Sequence, residues 1–172
     1  MLTDTLPEKT EQSREARFTD LVERQSRFVF KVAWAMLRNA QDAEDIVQET
    51  FLKLYRKHAW ERMEDERAFL ARTAWRLSAD RMRQRRHAPV DIDPPAPSVT
   101  PEQAAIAANW TAVVHRLMDA LPEELRQPLA LSGIDDLSSA EIAGAMGIPE
   151  GTVRTRIMRA RQILKDKLAT YE

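Results

Sequence analysis

The sequence predicts an all-α protein: two small helical domains joined by a Pro-rich linker, with a helix-turn-helix in the second. Apolar residues recur at three- and four-residue intervals through both halves of the chain, as on the buried face of a helix. Five of the nine prolines lie between residues 88 and 101, a density that no helix tolerates. We therefore expect domains at residues 14–87 and 104–172, with the linker at 88–103.

Composition excludes several classes of site. The chain has 172 residues, 44% hydrophobic and 31% charged, as in a globular protein. It has no cysteine, which excludes disulfides, thiol catalysis and cysteine-bound metal and fits a reducing cytoplasm. The three histidines lie far apart in sequence, and the four glycines show no phosphate-binding spacing. We therefore expect no cofactor and no metal.

No apolar run approaches the length of a membrane span. The most hydrophobic window, Phe28 to Leu37, is interrupted by Lys31, and the N-terminus lacks a basic-then-apolar signal. We expect a cytoplasmic protein with no membrane contact of its own.

The first domain begins with a helical pattern after a polar stretch. Residues 1–13 lack periodicity and predict a loose tail, whereas apolar residues from Phe18 to Leu37 keep helical spacing. The polar group Gln25 to Arg27 indicates a break between two helices. Arg38 to Gln41 predicts the next turn.

Asp42 is predicted to cap a second helix that runs to about Lys57. Its expected buried face consists of Ala43, Ile46, Val47, Phe51 and Leu54. An outer face is formed by Asp45, Gln48, Glu49 and Leu52. Acidic capping explains Asp42 and Glu44, but Gln48 and Glu49 lie beyond the first turn and need another explanation.

A third helix follows the irregular segment from His58 to Asp65. Its predicted buried stripe is Phe69, Leu70, Thr73, Ala74 and Leu77. Between Arg67 and His87 there are seven arginines and one acid, a local charge of +6 that suits an anionic partner. The nearby Trp60 and Trp75 would suit stacking on unpaired bases, although a single tryptophan is more often a core residue.

The second domain begins near Glu102. A helix with apolar residues Ile106, Trp110, Val113, Val114, Leu117, Met118 and Leu121 is expected first. Pro122 then opens a helix to about Ser132, in which Pro128 predicts a kink or a late start.

Residues 137–168 predict two helices joined by a tight turn. Ser138 and Glu141 have capping-box spacing, Gly147 suits a left-handed helix end, and Pro149 suits the start of the next helix. In that helix Val153, Ile157, Ala160 and Leu164 define a buried face. The other face carries Arg154, Thr155, Met158, Arg159 and Arg161.

The second of these helices is strongly cationic. Between Ile148 and Leu168 there are six cationic residues, Arg156 among them, and two acidic ones. The local charge is therefore +4, in a chain of net charge -1. This pattern is typical of a helix-turn-helix that places its second helix in the DNA major groove. The alternative is a helical hairpin with a solvated arginine face, but the agreement of cap, turn and charge favours DNA.

Two segments resemble bacterial RNA polymerase sigma factors. The segment from Asp42 to Phe51, Asp-Ala-Glu-Asp-Ile-Val-Gln-Glu-Thr-Phe, is similar to the signature of their first conserved domain. The segment Gly-Thr-Val-Arg-Thr-Arg at 151–156, with Arg-Ala-Arg at 159–161, is similar to that of the last. Domain order, linker and size resemble the two-domain extracytoplasmic-function group, over roughly Phe18 to Leu168.

The resemblance implies a role for each predicted site. Core RNA polymerase would dock on Asp45, Gln48, Glu49 and Leu52. The minus-ten element would be opened, and its non-template strand held, by Trp60, Trp75, Arg76, Asp80, Arg81 and Arg83. The duplex minus-thirty-five element would be read by Arg154, Thr155, Met158 and Arg159, with Arg156 and Arg161 beside them. The linker would thread toward the RNA exit path, and an anti-sigma protein is an implied partner.

One departure affects promoter preference. Relatives usually carry Asn at the position that Arg76 occupies, beside the melted strand, so the resemblance gives the class of this chain but not its minus-ten preference.

Two other classes of function compete with this interpretation. A dimeric helix-turn-helix regulator that never acts as a polymerase subunit would leave Gln48, Glu49 and the cluster Arg81 to Arg86 unexplained. A nucleic-acid enzyme is not expected, because no carboxylate cluster, metal-ligand spacing or nucleophile-base pair is visible.

Overall fold

The structure is a computed structural model that describes residues 6–86, 101–134 and 137–170. The described chain is helical and contains no strand. Its elements are α1 (Leu6–Leu37), α2 (Ala40–Lys57), the short 3-10 turn η1 (Ala59–Arg62), α3 (Glu66–Arg86), α4 (Pro101–Asp119), α5 (Glu123–Ser132), α6 (Ser139–Met146) and α7 (Glu150–Ala169). None of these helices is both long and apolar enough to cross a bilayer.

Two compact units divide the chain, one ending at Asp80 and the other beginning at Arg81. The all-α fold predicted from sequence is confirmed. Of the predicted linker, residues 88–100 lie outside the described part of the chain. The exact domain limits 14–87 and 104–172 stay a prediction.

The first unit packs α1 along α2, with η1 against the end of α2. Its core is aliphatic at the centre and aromatic toward η1. The most deeply buried side chains are Val29, Val32, Ala33, Ala43, Ile46, Leu54, Leu70 and Ala74. Phe18 packs its ring against Phe51, Tyr55 and Trp60, with centroid distances of 6.4, 5.0 and 5.3 Å.

Helix α1 is longer and more regular than the sequence predicted. The expected tail at residues 1–13 is wrong from Leu6 onward, because α1 begins there. That stretch is rich in Glu, Lys, Gln and Arg, which favour helix without any apolar periodicity. The expected break at Gln25 to Arg27 is also wrong, since α1 is continuous to Leu37. The polar side chain of Gln25 does not mark a break but donates a hydrogen bond from its amide to the Glu66 carboxylate, at 2.6 Å.

The cap of α2 lies three residues earlier than predicted. Asn39, not Asp42, is the N-cap, and its side-chain oxygen accepts a hydrogen bond from the Asp42 backbone N–H at 3.0 Å. The turn before α2 therefore contains only Arg38 and Asn39. Asp42 lies in the first helical turn, where the helix dipole favours a carboxylate.

Replacing this cap tests its contribution. Asn39→Ala is expected to lower the free energy of unfolding by about 1 kcal/mol, because an orphan backbone donor of α2 loses its acceptor. Chemical denaturation of the full chain measures the change. Gln48→Ala, an exposed position on the same helix, is the control. Equal stability of the two variants would show that Asn39 does not stabilise the helix start.

The buried face of α3 is rotated from the predicted stripe. Leu70, Ala71, Ala74 and Ser78 are buried, whereas Phe69 is 38% exposed. Three of the four buried residues are small, so α3 can pack closely, but they give a weak apolar signal in the sequence. The prediction that Phe69 is a core residue is therefore wrong.

The second unit is built on α7. Helix α5 packs on α7, α6 contacts both, and α4 contacts α7. Leu121, Leu125 and Ala160 form a buried cluster extended by Leu129, Ile163 and Leu164. The predicted cores of α6 and α7 are confirmed at Ile142, Ala143, Val153, Ile157 and Ala160.

The expectations for α4 and α5 are only partly met. Trp110 and Val114 were predicted to be core residues but are 61% and 37% exposed, while Leu117 and Leu121 on the same helical spacing are buried. Helix α5 begins at Glu123 and continues through Pro128, so of the two expectations at this proline a late start is wrong and a kink stays a prediction. Leu125, Pro128 and Leu131 are all buried, one helical turn apart. Their burial offsets the backbone hydrogen bond that Pro128 cannot make.

Candidate functional site

The turn between α6 and α7 has the predicted geometry. Ser138 caps α6 and accepts a hydrogen bond from the Glu141 backbone N–H at 3.1 Å. Gly147 has a φ of 69°, a left-handed conformation that a side chain would strain, and it ends α6. Pro149 then directly precedes α7 as its N-cap. These local features set the start of α7 and the direction of its N-terminal side chains.

Helix α7 presents its cations to solvent. Arg154, Thr155, Arg159 and Arg161 are exposed, and Met158 is 66% exposed. Arg156 is half-buried at the edge of this face. The six predicted upstream residues thus lie on one helix, and five of them are exposed beside or opposite its buried side.

Two contacts orient side chains on this face. The Arg154 guanidinium donates to the Glu150 carboxylate one turn earlier, at 2.5 Å. The Thr155 hydroxyl donates to the Gly151 carbonyl at 2.9 Å. Because the Arg154 side chain is 69% exposed, its ion pair is easily exchanged for a contact with an incoming partner.

A shallow groove of 640 Å³ runs beside α7. Arg154, Met158, Arg161 and Lys165 line one wall, and Ser138, Ser139 and Ile142 of the α6 end line another. The groove therefore combines three cations with hydroxyls and an apolar floor. Phosphate oxygens and base edges are the chemistry that such a surface suits.

Helix α3 carries the second cationic face. Arg76, Asp80 and Arg83 are exposed at three- and four-residue spacing, and Arg81 is half-buried. Asp80, Arg81 and Arg83 each have further interactions within the protein. The minus-ten residues on α3 thus lie along the second half of one helix.

The two tryptophans differ in exposure. Trp60 is 9% exposed and packs on Phe18, with the Arg17 guanidinium 5.5 Å from its ring centroid. Trp75 is half-buried. Stacking of Trp60 on a base stays a prediction, and it requires the ring to be uncovered first.

The outer face of α2 lines an open groove of 550 Å³. Gln48 and Glu49 are exposed, Leu52 is 51% exposed and Asp45 is half-buried. The groove has further walls that the sequence did not single out: Lys53, Arg56, Lys57 and Leu77. Acidic side chains toward the start of α2, basic ones toward its end and the exposed Leu52 between them suit a partner surface that is both charged and partly apolar.

A set of polar contacts between α1 and α3 was not predicted from the sequence. Arg24 donates to Glu66 at 2.8 Å and to Asp20 at 2.8 Å, and Gln25 donates to Glu66 as well. Hydrogen bonds to Asp20 and then to Glu66 raise the pKa of Arg24 above its ordinary value. The polar group at Gln25 was the available signal, and it was interpreted as a helix break.

No group of three or more metal-ligating side chains lies together within the described ranges.

Comparison with known families identifies both units. The family described as Sigma-70 region 2 matches residues 21–88, and Sigma-70, region 4 matches residues 111–164. The two matches together contain the sites on α2, α3 and α7.

Curated relatives cover nearly the whole chain. The RNA polymerase sigma-H factor of Pseudomonas aeruginosa is 31% identical over 95% of this chain and 92% of its own. The ECF RNA polymerase sigma-E factor of Escherichia coli is 32% identical over 97% of this chain and 95% of its own. The ECF RNA polymerase sigma factor SigE of Mycolicibacterium smegmatis is 33% identical over 94% of this chain, which spans 65% of that relative's length.

Two solved structures share the fold. CnrH in complex with the cytosolic domain of CnrY has a TM-score of 0.65 and 25% identity, covering 92% of this chain and 91% of that one. The sigma factor RpoE in complex with the anti-sigma factor NepR from Bartonella quintana has a TM-score of 0.60 and 19% identity, covering 92% and 98%.

Proposed function

Because the chain belongs to the extracytoplasmic-function (ECF) family of RNA polymerase sigma factors, we propose that it binds core RNA polymerase and directs promoter-specific initiation. The observation that carries the proposal is the presence of two cationic helix faces, on α3 and α7, in a chain that also carries a mixed-charge groove on α2. DNA binding alone explains the first two, but only a protein partner explains the third.

We assign the groove on α2 to core polymerase, through Asp45, Gln48, Glu49 and Leu52. The exposed leucine supplies apolar contact area, and the carboxylates supply charge that fixes the register of the partner. The dimeric regulator is not favoured, because it gives this face no partner.

We assign the two cationic faces to the promoter. The outer face of α7 reads the upstream duplex, with Arg154, Thr155, Met158 and Arg159 nearest the bases and Arg156 and Arg161 beside them. The face of α3, with Trp75, Arg76, Asp80, Arg81 and Arg83, and the segment containing Trp60 hold the melted non-template strand.

The protein acts in this proposal as a non-enzymatic specificity subunit in the cytoplasm, without a cofactor. Because CnrH and RpoE were each solved with a bound protein, RpoE with an anti-sigma factor, we extend control by an anti-sigma protein to this chain. An exposed, partly apolar surface such as the groove on α2 is the kind of surface that an inhibitor covers.

Runoff transcription tests the proposed function. Purified full-length chain is combined with core enzyme and genomic promoter fragments, and RNA start sites are mapped. We expect starts at discrete promoters that core enzyme alone does not use. Absence of any start, together with dimeric binding to duplex DNA, would instead identify a regulator.

Salt dependence tests the cationic faces. Promoter binding by the holoenzyme is expected to weaken linearly on a log-log plot against salt, with each neutralised phosphate contributing about -0.9 to the slope. Fluorescence anisotropy of labelled promoter DNA measures this slope. A flat response would exclude both faces as phosphate contacts.

A further inference from the structure

The segment from His58 to Asp65, between α2 and α3, is held by the N-terminal half of α1. Arg14 forms an ion pair with Glu61 inside the segment. Phe18 lies 5.3 Å from the ring of Trp60, and Arg17 lies over the same ring. These residues lie on one face of α1, at helical spacing.

A second set of contacts fixes the exit of this segment. Glu66 is the first residue of α3, and its carboxylate accepts hydrogen bonds from Arg24 at 2.8 Å and Gln25 at 2.6 Å. Asp65 caps α3 by accepting from the Ala68 backbone N–H at 3.0 Å. The segment is thus anchored at its middle by Trp60 and at its end by Glu66.

The contacts between α1 and the segment leave open space beside them. An open groove of 580 Å³ lies between α1 and the segment, lined by Arg17, Leu21, Arg24, Trp60, Met63 and Glu66, among others. The indole N–H of Trp60 has no hydrogen-bond partner among the described residues. At the exit of the segment, Arg24 and Gln25 of α1 both bind the Glu66 carboxylate, so these polar contacts help to fix where the segment meets α3.

We propose that Arg24 and Gln25 are positioning residues: through Glu66, they hold the segment from His58 to Asp65 in the shape that receives the melted promoter strand. This inference rests on the proposed function, because only that proposal assigns the segment to the minus-ten element. It extends the promoter-opening machinery to α1, which the predicted site did not include.

A double-mutant cycle tests the contact. Glu66→Ala and Arg24→Ala are each expected to reduce strand opening by about threefold to tenfold, and the double variant is expected to lose little more than Glu66→Ala alone. Arg27→Ala, at an exposed arginine of the same helix, is the matched control. Opening is measured by permanganate reactivity of the melted strand at saturating holoenzyme, on a promoter mapped by runoff transcription.

Two further readouts separate positioning from general stability. The preference of Glu66→Ala for the mapped minus-ten sequence over substituted ones is expected to fall, while core affinity and the unfolding midpoint stay at the Arg27→Ala values. If Glu66→Ala lowers strand opening equally on every promoter and also lowers the unfolding midpoint, Glu66 acts only by stabilising the fold. That result would overturn the inference.

Failure of this inference is distinguishable from failure of the proposed function. If the wild-type chain starts no RNA with core enzyme, the proposed function is wrong. If the wild type is active and Glu66→Ala opens the promoter as well as Arg27→Ala does, only the positioning role is overturned.

Discussion

Arg154→Ala is expected to cost about 1–3 kcal/mol of discrimination at the upstream promoter element, or about fivefold to 150-fold in relative affinity. Arg154 is exposed one turn into α7, where a recognition helix contacts base edges. Its guanidinium presents paired donors that match the acceptors of a guanine. Loss of the Glu150 ion pair contributes little, because both side chains are exposed.

The measurement compares wild-type and upstream-substituted promoters. Holoenzyme affinity is measured for both sequences, and the ratio of the two affinities is the discrimination. Lys165→Ala is the matched control, since Lys165 is exposed on the same helix and lines the same groove. It is expected to weaken binding to both sequences equally and to lower the salt slope by about 1, as a phosphate contact does. If Arg154→Ala instead weakens binding to both sequences equally, Arg154 contacts phosphate and does not read a base.

The structural features predicted best were those that depend on residues close together in the sequence. Ser138, Gly147 and Pro149 act through their own backbone geometry and through groups within four residues, so the α6 to α7 turn was predictable. The exposed face of α7 followed from it, because the buried positions Val153, Ile157 and Ala160 fix the rotation of the helix. The candidate DNA-contacting face therefore required no knowledge of distant contacts.

Contacts distant in sequence account for the misses. Gln25 was taken as a helix break because its partner, Glu66, lies 41 residues away. The covering of Trp60 could not be predicted either, because Arg17 and Phe18 belong to another helix, and stacking of its ring on a base stays a prediction. Trp110 has the spacing of a core residue but is 61% exposed. Periodicity shows which faces are apolar, but not which faces the fold covers.

The α2 groove illustrates the same division. Its acidic part was recognised from a local argument, that capping cannot explain Gln48 and Glu49. Its basic part, Lys53, Arg56 and Lys57, lies on the same helix at helical spacing and was overlooked, whereas the contribution of Leu77 appeared only when α3 was placed beside α2. The partner surface that fits the whole groove therefore carries both signs of charge, and a test of docking has to change one sign without changing the other.

Glu49→Lys makes that change, and it is expected to raise the dissociation constant for core RNA polymerase about tenfold or more, which is about 1.4 kcal/mol. The groove lining has three cations, Lys53, Arg56 and Lys57, and two carboxylates, Asp45 and Glu49. The substitution takes its formal charge from +1 to +3 and leaves Asp45 as the single carboxylate. Basic groups of the partner that faced Glu49 would then meet a like charge.

Glu44→Lys is the control for this prediction. It alters the net charge of the chain by the same amount on the same helix, but Glu44 is exposed and does not line the groove. Competition against labelled wild-type chain for core enzyme measures both variants at matched salt, and circular dichroism confirms that both stay folded. Equal affinities of the two variants would remove core docking from this face. A loss confined to Glu49→Lys requires a local contact, because a general charge effect would weaken both variants alike.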